Sequence, residues 1–348
     1  MIFSFKTYKE EFREGAKNLG FSEKNIIKCL IYSEKLWNNN VPIIYNLTHL
    51  SKLTGFKRDY IIQAAVVSKH SDAYYRYYKI PKKNGGIRKI QEPLPNLKNI
   101  QHWILYNILY KINSSNYAKA YIKNKGLKDN LKFHKNQKKV YSIDIEDFFS
   151  TITYDKVYNI FKDVGYSDTI SKYLSKLCCL KEVLPQGAPT SPYISNLIMK
   201  DIDKEIGEYC IERNIRYTRY ADDLTFSGDF DENELKVMVE DLLSRKGFKL
   251  NNNKTKLMLN SQRQIVTGVL VNKKPQLTKY KRRELRQILY YINKFGLDSH
   301  IGRIGMDKRN YLDHLIGQIG FGLYINPNDK ELRGYFEKII KLKKGLKL

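Results

Sequence analysis

No run of apolar residues in this chain reaches the roughly 18 that a membrane-spanning helix needs. The opening Met1-Ile2-Phe3-Ser4-Phe5-Lys6 forms no secretory hydrophobic segment, so a cytoplasmic location without a membrane partner is expected. Cysteine is scarce. Cys29, Cys178, Cys179 and Cys210 show no metal-ligand spacing, and the adjacent Cys178 and Cys179 cannot readily bridge each other. That excludes a disulfide framework and a zinc ribbon, leaving buried thiols in a reducing compartment. Internal repeats and long low-complexity linkers are also missing. Acid is the minority charge: 36 Asp and Glu face 62 Lys and Arg, a net +26. An excess that large goes well beyond solubility and points to a polyanionic partner.

What the chain has is aromatic and basic. The 27 Tyr and 15 Phe are interleaved with cations, a mixture suited to stacking on bases and sugars, although most of them must be core. At 348 residues there is enough chain for two or three subdomains. Apolar periodicity predicts helices over Tyr8–Leu19, Glu23–Trp37 and Leu47–Ser68. Tyr74 to Ile90 reads as strand, turn and strand around Asn84-Gly85-Gly86, a hairpin signal. A helix is expected from Leu97 to Ile112, mixed strands and helices from about 138 to 260, and a basic helical region after Val269-Leu270-Val271. From Lys273 onward 18 Lys and Arg stand against 7 Asp and Glu, a net +11.

The most informative stretch is Tyr220-Ala221-Asp222-Asp223. Ile215 to Tyr220 and Leu224 to Ser227 both have strand composition, which places Ala-Asp-Asp at a tight turn. Two carboxylates held that close repel unless a cation sits between them, which expects a hard metal such as Mg²⁺. Adjacent acids in a surface turn are more often simply solvated, so the pair needs company. Val140 to Asp144 supplies it, an apolar strand reaching an acid near its end. Three such carboxylates suit two-metal nucleotidyl transfer: one metal activates the attacking hydroxyl and the other steadies the leaving pyrophosphate, about 3.5–4 Å apart. Glu146 and Asp147 lie where that strand ends and read as structural or solvated.

Groups suited to a triphosphate lie elsewhere. Lys82, Lys83 and Arg88 flank the first hairpin, where a Lys and the Arg fork can reach the same phosphates. Leu184-Pro185-Gln186-Gly187 is a constrained turn leading to a helix with Pro192 near its start, able to press backbone against a nucleotide while the Gln186 amide reads sugar or base. Phe149, five residues past Asp144, can pack under C2′ and exclude a 2′-hydroxyl. Lys254, in a polar turn after Gly247, can neutralise or protonate departing pyrophosphate. Each has an ordinary alternative: a basic surface hairpin, a Pro-rich connector, a core Phe, a solvated lysine.

In this order the motifs resemble the finger and palm motifs of reverse transcriptases over residues 74 to 272, and among these the bacterial retron enzymes. Val266-Thr267-Gly268 is similar to that group's Val-Thr-Gly triplet. Asn130-Leu131-Lys132-Phe133-His134 is similar to its Asn-Ala-x-x-His element, with Leu131 in place of Ala. The resemblance implies an α+β right-hand polymerase: an N-terminal helical region over 1–70, fingers over 71–137, an antiparallel-sheet palm over 138–264 and a helical thumb over 265–348. It implies two Mg²⁺ on Asp144, Asp222, Asp223 and the Ile145 carbonyl, with Lys254 assisting. Lys82, Lys83, Arg88, Phe149, Gln186, Gly187 and Tyr220 would bind the dNTP. Asn130, His134, Val266, Thr267, Gly268, Lys279, Lys281, Arg282, Arg283 and Arg286 would position RNA. The implied partners are dNTPs, a cognate non-coding RNA serving as template and primer, the RNA–DNA hybrid product and an accessory effector protein. The implied product is branched multicopy single-stranded DNA (msDNA), made from a guanosine 2′-hydroxyl in anti-phage defence. Other bacterial reverse transcriptase classes (group II intron-like, diversity-generating or abortive-infection) are the alternative. A non-catalytic RNA-binding scaffold fits less well, because three carboxylates would only weaken a pure binder of polyanions.

Overall fold

The structure, a computed structural model, describes residues 4–65, 71–82, 85–305 and 308–345. The chain begins with α1 (Phe5–Asn18), capped by the Ser4 hydroxyl on the Thr7 amide, and α2 (Glu23–Asn38). Instead of one helix over Leu47–Ser68 there are two, α3 (Leu47–Thr54) and α4 (Arg58–Ala65), and Ser68 lies outside the described residues. Gly55 is the reason: at φ +77° it closes α3 in the left-handed conformation and turns the chain. Strands β1 (Tyr75–Pro81) and β2 (Ile87–Pro93) form the expected hairpin, pairing from Tyr75 opposite Pro93 to Pro81 opposite Ile87. Gly85 and Gly86, both at φ +79°, make its turn.

Pro95 opens α5 (Pro95–Asn107), which gives way at Leu109–Lys111 to a single 3₁₀ turn, so the helix is shorter than periodicity predicts. Next come α6 (Leu127–His134), β3 (Lys139–Asp144), α7 (Tyr154–Val164), α8 (Asp168–Cys178), α9 (Ser191–Ile198) and α10 (Lys200–Glu212). The hairpin β4 (Arg216–Tyr220) and β5 (Asp223–Gly228) is followed by α11 (Glu232–Arg245) and β6 (Lys256–Leu259). Two short strands, β7 (Ile265–Val266) and β8 (Val269–Leu270), precede three helices: α12 (Lys279–Ile304), α13 (Lys308–Ile325) and α14 (Lys330–Gly345).

These elements form two compact units. One comprises residues 1–123, 145–208 and 237–251, the other 124–144, 209–236 and 252–348. In the first, α8 packs against α4, α5 and α7, with Ile61, Ile100, Ile104, Phe161, Ile170 and Leu174 fully buried. The Gln101 amide ties α5 to the end of α8 by donating to the Leu177 carbonyl at 2.8 Å.

In the second unit an antiparallel sheet runs in the order β4-β5-β3-β6. One core joins Val140 of β3 to Val266, Val269, Leu285, Leu289, Leu312, Ile319 and Ile339. Each such side chain contributes about 1.5–3 kcal/mol by leaving water, so this core holds the register of β3. Helix α12 is interrupted at Gly296 (φ +82°, ψ 159°), a backbone conformation only glycine adopts readily.

Candidate active site

Pairing in the central sheet sets Asp144, the last residue of β3, directly opposite Asp223, the first residue of β5. Asp223 is therefore a strand residue. The tight turn contains only Ala221 and Asp222, closed by the Tyr220–Asp223 pair. Ala221 sits at φ +61°, the sign that two-residue hairpin turns require at their first position, and it is buried. Arg219, wholly buried, donates to the Ala221 carbonyl at 3.0 Å and so holds the turn from inside.

Lys254 lies on Asp144, with its ammonium 2.7 and 3.0 Å from the two carboxylate oxygens. Asp144 is almost fully buried while Lys254 remains half-exposed. The ammonium thus compensates a desolvated carboxylate and keeps one face to solvent. Burial lowers the Lys254 pKa, but the hydrogen bond it donates to Asp144 and the charges of Asp144, Asp222 and Asp223 outweigh it and raise the pKa overall.

Asp223 is pushed up to about 7, first by burial and then by the charges of Asp222 and Asp144, with which it also shares a hydrogen-bonding contact. Among the described residues no three His, Cys, Asp or Glu side chains close into a metal-holding group. Asp144 and Asp223 nevertheless place hard oxygen donors side by side, beside Asp222 and with the single ammonium of Lys254 on Asp144, and a divalent cation relieves that crowding of carboxylates. On that ground the residues fit such an ion.

The remaining expected residues divide between the two units. In the first, Lys82 and Arg88 are exposed on the β1–β2 hairpin, and Lys83 lies outside the described residues. The Gln186 carbonyl accepts the Gln91 amide of β2 at 2.8 Å. Gly187 has φ +136°, and a Cβ there would meet the Gln91 carbonyl at 2.8 Å. The close approach that demands this glycine is therefore one to β2. Ile145 follows Asp144 along the chain, buried and bridged to Leu250. Phe149 is half-buried against Phe148 at 5.5 Å, and Glu146 and Asp147 are exposed.

In the second unit Tyr220 ends β4 half-buried, and Val266 is buried in the core. Thr267 is half-buried, while Gly268 is exposed at the β7–β8 turn. Asn130 and His134 do not face solvent: both are fully buried and bonded to other side chains. Direct RNA contact through their polar ends, as the resemblance implied, does not match this placement. Lys279 and Arg283 are exposed. Lys281 pairs with Glu284, Arg282 with Asp329 and Glu331, and Arg286 with Glu331, so part of the expected basic face is spent within the helices. In the sequence Arg219, Thr218 and Ser227 carry no signal of their place, since short polar and basic residues in a strand give no sign of what they meet inside.

The family described as reverse transcriptase (RNA-dependent DNA polymerase) matches residues 80–311. Retron Ec86 reverse transcriptase of Escherichia coli is 32% identical, the match covering 88% of this chain and 93% of that protein. Retron Ec83 reverse transcriptase of the same organism is 33% identical, over 73% and 84% of the two chains. Among solved structures, telomerase from Candida albicans superposes with a TM-score of 0.43 at 10% identity, covering 77% of this chain and 63% of that one, too distant to bear on function. The chain belongs to the reverse transcriptase family and, within it, to the retron enzymes. It is an RNA-directed DNA polymerase of the α+β, right-hand class, and enzymes of this family depend on divalent metal.

Proposed function

We propose that this polymerase copies a cognate structured non-coding RNA into branched msDNA, beginning from a guanosine 2′-hydroxyl and acting with an effector protein in anti-phage defence. Kinship with retron enzymes over most of the chain supports the RNA and product classes. The observation that carries the chemistry is the placement of Asp144 opposite Asp223, with Lys254 on Asp144. Asp144, Asp222, Asp223 and the Ile145 carbonyl are the proposed ligands. Two Mg²⁺ bound there would lower the pKa of the attacking hydroxyl and steady the leaving pyrophosphate.

Lys254 stays protonated at neutral pH, which suits stabilising charge on pyrophosphate more than giving up a proton. Lys82, Lys83 and Arg88 would hold the triphosphate. Gln186, Gly187, Phe149 and Tyr220 would fit base and sugar, with Phe149 excluding a ribonucleotide. Val266, Thr267 and Gly268 would meet RNA at their turn, and Lys279, Lys281, Arg282, Arg283 and Arg286 would line the template path on the helical thumb. Residues 1–70 are proposed as an N-terminal helical region, 71–137 as fingers, 138–264 as palm and 265–348 as thumb. The four reduced cysteines accord with work in the cytoplasm, and no described helix is long and apolar enough to cross a membrane.

The test is dNTP incorporation on an RNA template by the parent and by Asp222→Ala/Asp223→Ala, with RNA affinity measured alongside. Loss of synthesis with affinity retained is expected. Retained synthesis contradicts the assignment of the acids.

A further inference from the structure

Asn130 and His134 sit on one face of α6, four residues apart, and both are fully buried. Hydrogen-bond bookkeeping gives their bonds a direction. Thr218 Oγ1 donates its single proton to Asn130 Oδ1 at 2.5 Å. The same oxygen lies 2.7 Å from His134 Nε2, so there it must accept, and His134 carries a proton on Nε2. His134 Nδ1, 2.8 Å from Ser227 Oγ, then accepts from the serine in the neutral imidazole. Asn130 Nδ2 donates to Thr267 Oγ1 at 3.0 Å. The result is a one-way relay, Ser227 to His134 to Thr218 to Asn130 to Thr267. It begins on β5, crosses α6 and β4, and ends in the β7–β8 turn.

Both ends of the relay are significant. Thr218 and Ser227 belong to the two strands whose turn carries Asp222 and Asp223, and the relay braces each strand from the same helix. At the far end Thr267 stands at φ +46° beside Gly268 at φ +81°. That two-residue turn favours Asn-Gly, and a β-branched residue in the left-handed region is a strained exception. The strain at Thr267 comes with a hydroxyl that only this relay engages among the described hydrogen bonds, which argues that its placement is selected rather than tolerated.

We propose that Asn130 and His134 are positioning residues of the polymerase: by this relay they hold the Asp222–Asp223 hairpin and the Thr267–Gly268 turn in one register, and neither touches nucleic acid. The proposal rests on the reading of Asp222 and Asp223 as the reacting centre. Displacing a catalytic group by about 1 Å costs on the order of 100-fold in rate, so loss of the relay lowers turnover. The groups proposed to grip dNTP are not part of it, so KM for dNTP stays put; of the groups proposed to meet RNA, Thr267 stands at its far end, so RNA affinity falls less than kcat.

Single-nucleotide incorporation on a pre-annealed RNA template and primer, with the full chain, tests this. Thr218→Val keeps the shape and removes both central bonds. It is expected to lower kcat about 10- to 100-fold, with KM for dNTP within about twofold and any change in RNA Kd smaller than that in kcat. Thr218→Ser restores the hydroxyl and should recover most of the lost kcat. Ser227→Ala removes only the first donor, keeps the comparison open should Thr218→Val fail to fold, and should lower kcat by a smaller factor with the same unchanged KM. Weakened RNA affinity at constant kcat would make these contact residues and overturn the proposal. So would a folded Thr218→Val or Ser227→Ala enzyme with parental kcat. A parent protein that incorporates no dNTP on any RNA template is a different result, and it counts against the polymerase reading itself.

Discussion

Asp144 is nearly buried, and the half-exposed Lys254 ammonium lies on its carboxylate. Lys254→Ala should therefore cost only about 0.5–1 kcal/mol of stability in a thermal melt, because solvent screens the exposed partner. Polymerisation should fall by roughly 100-fold or more if the ammonium stabilises the leaving group. A stability loss without a rate loss would limit Lys254 to balancing Asp144. Ala221 makes a separate prediction at this scale. Valine there would place a β-branched side chain in the left-handed region and overfill a buried turn, lowering stability by about 1–3 kcal/mol in urea unfolding. Glycine would lie within about 1 kcal/mol of the parent. The meeting of Asp144 with Asp223 could be expected from the sequence only because an acid ends the apolar strand from Val140, since a carboxylate pair in a turn is by itself more often solvated. The place of Arg219 could not be expected: arginine is rarely fully buried, and the acceptor that admits it here is a backbone carbonyl that no side-chain pattern reports.

Elements in this protein are fixed by a few close approaches. The Gln186–Gly187 loop lies on β2 through one backbone hydrogen bond and a glycine with no room for a methyl group. Gly187→Ala should destabilise the protein by about 1–3 kcal/mol in a chemical melt, and an unchanged midpoint would contradict the packing described. At the other end of the chain Glu331 joins α14 to α12. Burial would raise its pKa, but hydrogen bonds from Arg286, Tyr335 and Arg282 hold it at about 2, below its ordinary 4.5. A depressed carboxylate contributes its stability in full above the unfolded pKa and loses it as pH falls through the folded one. The parent should therefore lose stability between about pH 4.5 and 2 more steeply than Glu331→Gln, as read from urea midpoints; parallel curves would count against the cluster. The two N-terminal helices and the β1–β2 and β4–β5 hairpins could be read from periodicity and turn composition, and two of the errors share a cause. The helix expected over Leu47–Ser68 breaks at Gly55 because a single left-handed residue outweighs the apolar spacing on either side. The interruption at Gly296 was missed inside a basic helical run for the same reason.

For the whole molecule, the net charge of +26 is the dominant fact. Binding to RNA through several phosphates predicts log Kd rising steeply with log salt, by about 0.7–0.9 per phosphate contact. A flat response would mean that the excess charge serves something other than a polyanion. The polymerase class was legible because five motifs in order constrain one another far more than any one does. The burial of Asn130 and His134 was not, since a buried polar pair and an RNA contact call for the same residue types. What the protein carries in cells tests the msDNA assignment most directly. Its bound nucleic acid should be purified from cells holding the gene with its flanking DNA, then sequenced. A short DNA joined covalently to a structured RNA, lost in Asp222→Ala/Asp223→Ala, is the predicted result. Bound RNA with no attached DNA in the parent would contradict it.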